Sequence, residues 1–288
     1  MSQDAQHAQD VQGVPDVQAR SGEEEPQVVI DTTVAHSARM YDYWLGGMTN
    51  FAADRRLGAA VEQLIPTIRT MAWENRRFLG RAVSHLVREH GIRQFLDVGT
   101  GIPTKGNTHE VAQQADPACR VVYVDNDPIV LAHARALLDS STAGRTAYLH
   151  ADLREPRSIL EHPALRETLD LDQPVALMLL GVLMLVADAE RPWDHVHELM
   201  AALPSGSCMA LSHVTADFEP TAVGAVVDAE GEGRVVLVPR TRDQVARFFA
   251  DWELLEPGIV PVMAWRPEGE LPADPQAAYY WAGLARKR

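Results

Sequence analysis

Three aspartates, each closing a short apolar run, carry the most obvious chemistry in this sequence of 288 residues. Asp97 ends "QFLD", Asp125 ends "VVYVD" and Asp152 ends "LHAD", and the first of them leads into a turn made of Gly99, Thr100 and Gly101. In an open α/β sheet the ligand lies outside the carboxyl ends of the strands, so a glycine turn placed there lets the backbone approach a cofactor closely. A dinucleotide fingerprint would read G-x-G-x-x-G. Here Ile102, Pro103 and Thr104 follow, so the third glycine is missing, and Pro103 takes away one backbone donor that a pyrophosphate would use. The Asp97 carboxylate would repel phosphate and welcome an ammonium. Any one of these aspartates alone reads equally well as a helix cap; three at successive strand ends are better explained by a ligand.

The elements that must position them follow from the periodicity. Apolar runs at 94–99, 120–125, 146–152, 174–181 and 207–214 are separated by helical patterns near 107–115, 128–139, 156–169 and 190–202. Continuous apolar strands joined by crossover helices predict a parallel sheet covered on both faces. A helix over "TRDQVARFFADW", a strand over "ELLEPGIVPV" and a last strand over "AAYYWAGLARKR" follow, and the short link between the two strands predicts an antiparallel hairpin at the end of the sheet. The Gly- and acid-rich stretch from Asp217 to Arg234 is read as a surface excursion. Before the first strand, helices are expected up to Gly46-Gly47, from about Asn50, and from Thr67 to His90, the last stopped by Gly91. The resulting division is an acidic disordered tail over 1–28, a helical cap over 29–91 and an α/β domain over 92–288.

Composition narrows the function. The net charge is −14, and residues 1–28 hold six acids against Arg20 alone. The remainder is moderately acidic and lacks the counterion-release drive that nucleic-acid binding uses, so no nucleic-acid partner is expected. Cys119 and Cys208 have no ligand or CxxC spacing and read as buried small hydrophobes in a reducing compartment. The first residues show no apolar signal segment, and the longest apolar run, 175–187, is shorter than the roughly 18 residues of a membrane span. A cytoplasmic protein without a membrane partner is the expectation; oligomeric state is left open.

The turn "DVGTG" resembles the first motif, D-x-G-x-G, of class I S-adenosylmethionine-dependent methyltransferases. The resemblance implies that Asp97, Gly99, Thr100 and Gly101 serve the methionine end of the cofactor. It implies further that Asp125, with Asn126 beside it, accepts the ribose hydroxyls, and that Asp152, with Leu153, lies near the adenine amino group. Over about 37–285, the stretches "ARMYDYWLGGMTNFAADR", "NRRFLGRAV", "GIRQFLDVGTGIPT", "NTHEVAQ", "RVVYVDNDPIVLAHARALL" and "HADLREP" are similar to an actinobacterial S-adenosyl methyltransferase family long catalogued as a domain of unknown function. Membership implies an α/β three-layer sandwich with a mostly parallel, Rossmann-like methyltransferase sheet, a C-terminal antiparallel hairpin and an N-terminal helical cap. It also implies S-adenosyl-L-methionine as cofactor and an unidentified, small-molecule acceptor, with no metal. A non-catalytic protein that binds the cofactor or its demethylated product is the second reading, and a nicotinamide oxidoreductase a distant third. Relatives often carry Lys-Asp where Met48 and Thr49 stand and a His where Met184 stands; a thioether takes no proton, so position 184 holds no base.

Two further groups are candidates. His213 ends the fifth apolar run on the same edge as the aspartates, where it is either a satisfied partly buried histidine or a general base. In the cap, Arg39, Tyr41, Tyr43, Asn50 and Asp54 around the Gly46-Gly47 break are substrate or lid candidates: they suit a lid that folds over the cofactor and excludes water, with Tyr41, Tyr43 and Asn50 on the acceptor side, and core packing of Tyr41 and Trp44 is the compatible alternative. "HEVAQ" and "HELMA" lack the second histidine of a zinc site.

Overall fold

A computed structural model describes residues 31–130, 143–233 and 236–288. The tail expected over 1–28 and most of the helix expected over 128–139 lie outside the described residues. The elements in chain order are α1 (Ser37–Trp44), α2 (Ala52–Leu64), α3 (Ile68–His90), β1 (Gln94–Val98), α4 (Thr108–Ala115), β2 (Arg120–Asp125), β3 (Arg145–His150), α5 (Pro156–Leu160), α6 (Pro163–Thr168), β4 (Ala176–Leu180), α7 (Pro192–Ala202), β5 (Cys208–Val214), α8 (Pro220–Gly233), α9 (Arg242–Ala246), β6 (Glu253–Leu254), β7 (Val260–Pro261) and β8 (Tyr280–Arg286).

Strands β3, β2, β1, β4 and β5 lie side by side in that order, all parallel, and β8 continues the sheet antiparallel to β5. Because successive side chains of a strand point to opposite faces, Phe95, Val121, Ala176 and Cys208 enter one core while their neighbours Leu96, Val122, Leu177 and Met209 enter the other. The first core is closed by α1 to α4 and α8, the second by α5, α6, α7 and α9. This is the three-layer sandwich that near-continuous apolar strands require. Helix α3, grouped by sequence with the cap, buries Phe78, Ala82 and Leu86 in the same cluster as Phe95 of β1.

Four expectations change. The strand read over 253–262 is two short pieces, β6 and β7, separated by a turn at Pro257-Gly258 with Gly258 at φ 83°; both pair antiparallel with β8, which therefore sits inside the sheet. The helix read over 156–169 is broken in two, because Pro163 begins a new helix rather than continuing one. The helical pattern in "TRDQVARFFADW" makes only the short α9 before a single 3-10 turn. The stretch from Asp217 to Arg234 is no surface excursion: it contains α8, whose Val223 and Val226 are buried against the first core and whose helix packs on α2. Cys119 and Cys208 are buried and unpaired, and burial pushes both thiols up to about 11. No helix among the described residues is long and apolar enough to cross a membrane.

A candidate active site at the carboxyl edge of the sheet

The order 3-2-1-4-5 reverses direction between β1 and β4, and at such a switch point the loops leaving adjacent strands part to opposite faces and open a crevice. A cavity of about 470 Å³ lies there, within the range of roughly 300–1,000 Å³ that holds small ligands. It is lined by Asp97 of β1 with Gly99, Thr100 and Gly101 after it, by Asp125 at the end of β2 with Asn126 after it, and by Asp152 and Leu153 after β3. All eight residues read from the strand ends are thus brought together.

The glycine turn is shaped by its neighbours. Gly99 (φ 78°) and Gly101 (φ 66°) both take left-handed backbone, and a Cβ on Gly99 would fall 2.2 Å from Val182 Cγ2, so the first glycine is demanded by the exit of β4 as well as by its own turn. Gly99 N–H donates to Val124 O at 2.8 Å, and Gly101 N–H donates to Asp125 Oδ2, also at 2.8 Å. The second aspartate therefore clamps the first loop, while its Oδ1 accepts the Asp127 N–H at 2.9 Å. Burial pushes the Asp125 carboxyl up. The Asp97 carboxyl is pushed up to about 6 by burial, which outweighs the hydrogen bond its Oδ2 accepts from Thr108 Oγ1 at 2.6 Å. Asp152 moves the other way, down to about 2, because Arg154 donates to both of its oxygens, at 2.9 and 2.6 Å, and Asn126 Nδ2 donates at 2.9 Å.

The remaining sequence candidates divide. Of the cap residues, Tyr41 lines the cavity, together with Ser37 and Trp44 of the same helix. Arg39, Tyr43, Asn50 and Asp54 do not; they hold the cap together. Asp54 is fully buried, accepts the His36 and Phe51 N–H groups at 2.9 and 2.7 Å, and pairs with the equally buried Arg39, whose Nε lies 3.0 Å away. Arg39 also donates to the carbonyls of Asp31 and Val34. Asn50 donates to Asp42 Oδ2 at 2.8 Å and to Gly47 O at 3.0 Å, closing the Gly-Gly loop, and a Cβ on Gly47 would fall 2.0 Å from Asp42 Oδ1. The Tyr43 ring lies under the Arg69 guanidinium, 4.7 Å from it.

His213 is likewise corrected. It is fully buried and lies off the cavity wall; its Nδ1 is 2.8 Å from Val214 O and its Nε2 2.9 Å from Arg240 Nη1. Burial above all pushes it down to about 3, so it is a neutral ring with both nitrogens occupied, stacked on Phe248. Met184 lines the cavity, whereas Met48 is 96% exposed and away from it.

Several cavity residues escaped the sequence reading. Asn75 and Arg76 reach it from α3, and Val223 and Val226 from α8. Arg76 Nη2 donates to the carbonyls of Lys105 and Gly106 and to Asn107 Oδ1, which fixes its guanidinium beside the glycine turn. The signal for the α3 pair was present in "NRRFLGRAV", where an asparagine and arginine stand inside an apolar helical pattern; the excursion assigned to 217–234 concealed the other two.

A parallel sheet of this order, continued by an antiparallel strand beside β5 and carrying an acid-glycine turn at its switch point, is the Rossmann-like fold of a class I S-adenosylmethionine-dependent methyltransferase. The model of the S-adenosyl methyltransferase family matches residues 23–288. The chain belongs to that family. It is 44% identical to a DUF574 family protein from Streptomyces avermitilis, with a TM-score of 0.86 over 90% of this chain and 99% of that one. It is 40% identical to a candidate methyltransferase from Thermobifida fusca, with a TM-score of 0.84 over 90% and 97% of the two chains. No curated protein matches the chain. The cavity also fits the cofactor by its own chemistry: the buried Asp97 carboxylate invites a cation, and Thr104 Oγ1, on the wall beyond the glycine turn, is buried without a hydrogen-bond partner among the described residues.

Proposed function

We propose that this methyltransferase acts on a small organic acceptor in an actinobacterial cytoplasm, with the residues of the strand ends holding the cofactor in named roles. The observation that carries the reading is the clamp between the first two strand ends, in which Asp125 fixes Gly101 beside the buried Asp97. Asp97 faces the ammonium of the methionine end across Gly99 and Thr100, and Arg76 with Thr104 suits the carboxylate. Asp125 accepts the ribose hydroxyls on the lone pairs its backbone partners leave. Asn126, Asp152 and Leu153 border the adenine. S-adenosylmethionine supplies a methyl group already activated on a sulfonium, so the protein's task is to align an acceptor and keep water out. The cytoplasmic assignment is supported by two buried, unpaired thiols, and the source by the organisms of the two similar structures.

Calorimetric titration tests the reading. S-adenosylmethionine and its demethylated product are expected to bind with comparable affinity and NAD not at all; saturable NAD binding would overturn it. Asp97 predicts how the affinity depends on pH. Its ionised form pairs with the ligand ammonium, and its folded value is raised to about 6, so affinity is full above that value and falls about tenfold for each pH unit below it. A second decline is expected above about pH 8, as the ligand's amino group loses its proton. A profile flat from pH 5 to 7 would remove Asp97 from the ammonium.

The cap makes a kinetic prediction. Because Ser37, Tyr41 and Trp44 of α1 line the cavity, a bound cofactor adds contacts to a segment otherwise held by its polar knot and by Met40 and Tyr41 against the first core and α3. Hydrogen exchange is expected to slow across 37–54 on cofactor binding, in addition to the protection gained by 97–104. Unchanged exchange in 37–54 would make the cap fixed packing and not a lid.

A further inference from the structure

The cavity has two ends of opposite character. Its acidic and basic side chains are His36 just before α1, Arg76 on α3, Asp97 and Asp125 at the ends of β1 and β2, and Asp152 and Arg154 after β3. Past the switch point, where β4 and β5 end under the helices, the wall is Met40, Met71, Met184, Val214, Val223 and Val226. All of these but Met184 are buried, packed under α1, α3 and α8, while the half-buried Leu180, Val182 and Met184 at the exit of β4 present its accessible apolar surface.

A polar edge interrupts that wall, near the Tyr280 ring from β8. Ser212 Oγ donates to Asn75 Oδ1 at 2.6 Å, Asn75 Nδ2 donates to the Tyr41 hydroxyl at 3.2 Å, and Tyr41 donates onward to Ala72 O at 2.9 Å. An amide nitrogen carries two hydrogens, and Tyr41 takes one. Nδ2 lies 3.2 Å from where a Cβ on Gly181 would be, so the glycine after β4 leaves clear the space in front of it. Burial around the Tyr41 hydroxyl pushes its titration up, which keeps it a neutral phenol. Among the described residues, no side chain on this part of the wall is a base at neutral pH.

We propose that the methyl acceptor is a small, uncharged, largely apolar molecule, seated in the chamber under α1, α3 and α8 and oriented by a single hydrogen bond from Asn75. This rests on the methyltransferase reading above. A charge seated there would lose its hydration without gaining a partner, whereas an apolar ring gains the burial that the methionine and valine wall supplies. The acceptor atom must also attack without first losing a proton, as a neutral nitrogen does. Its lone pair forms the new bond to the methyl carbon as the carbon–sulfur bond breaks and that bond's pair stays with sulfur. The positive charge passes to the acceptor atom, and a proton carried by it leaves to water when the chamber opens.

The test uses two dyes with the same rings on the full chain saturated with S-adenosylhomocysteine: N-phenyl-1-naphthylamine, which is neutral, and 8-anilinonaphthalene-1-sulfonate, which carries a negative charge. The neutral dye is expected to bind saturably, at one site and at least tenfold more tightly than the sulfonate. In Val226→Asp it is expected to lose at least tenfold in affinity while S-adenosylhomocysteine binds within twofold of the parent. Should that variant melt without cooperativity, Val226→Thr, which keeps the shape and adds a hydroxyl, reads the same loss. Equal or tighter binding of the sulfonate, no saturable binding of the neutral dye, or a neutral-dye affinity untouched in a folded variant would each overturn the acceptor class while the cofactor titration stays normal. Failure of S-adenosylhomocysteine to bind would instead overturn the methyl-donor reading on which the acceptor depends.

Discussion

Asp54→Ala is expected to cost about 3–5 kcal/mol of unfolding free energy, the largest effect of any single change outside the hydrophobic cores. The carboxylate is 0% exposed and the guanidinium of Arg39 3% exposed, so removing the first leaves the second charged, buried and short of its ionic partner. The same change also orphans the His36 and Phe51 N–H groups and with them the start of α2. A surface pair of the same composition would be worth at most about 1 kcal/mol. Urea unfolding followed by circular dichroism separates the two cases. Asp54→Asn keeps an oxygen for one of the two backbone donors and should fall between parent and alanine variant. A loss of less than about 1 kcal/mol in Asp54→Ala would show that water enters the cap and solvates Arg39, and the picture of a dry polar knot would have to be abandoned.

The second large effect is on the ligand. Asp125→Ala should weaken binding of S-adenosylhomocysteine by about 1.5–3 kcal/mol, the range for hydrogen bonds to a charged group, or roughly ten- to 150-fold. Two causes act together: the ribose hydroxyls lose an acceptor, and Gly101 loses the clamp at 2.8 Å that fixes the turn facing the methionine end. Asp125→Asn bears on the second cause, because its one amide oxygen can still accept from Gly101 N–H, at the expense of the bond from Asp127 N–H, and carries no charge. The Gly101 and Asp127 N–H groups it frees cost some stability, but no buried cation is left without its partner, so the variant should stay folded. Unaltered affinity in the alanine variant would remove Asp125 from the cofactor site; a variant that fails to fold would make the clamp a condition of the fold.

What was legible in the sequence is what repeats a physical rule at each occurrence. Parallel strands buried on both faces read as unbroken apolar runs, so β1, β2, β4 and β5 could be placed, and the acid that ends each of the first three runs marks the sheet edge where the cavity lies. The cap was harder for a specific reason. Arg39, Asn50 and Asp54 are polar residues around a glycine break, and the same residue types would line a ligand site or satisfy one another; only their distances decide, and they satisfy one another. His213 misled in a related way. It ends a strand beside the aspartates, but its ring turns into the second core and meets Arg240, an arginine fully enclosed 27 residues later in the chain that no local pattern announces. Helix α8 was hidden by its composition: glycines and acids conceal Val223 and Val226, which recur three apart, one helical step on the buried face.

The place of β8 bears on how the molecule is made. It comes after every other strand in the chain, yet it lies between β5 and the pair β6 and β7, bonded on both edges. While the polypeptide emerges from the ribosome, β5 must therefore wait with one full-length edge open and its apolar residues ready to template a stranger, until Tyr280–Arg286 arrives to occupy it. Lys287 then locks the arrival by donating to the carbonyls of Met200, Ala201 and Leu203 where α7 ends. The interval between synthesis of β5 and of β8 is thus the span in which a nascent chain is most exposed to mispairing, and a chaperone or a slow stretch of codons would act there to greatest effect.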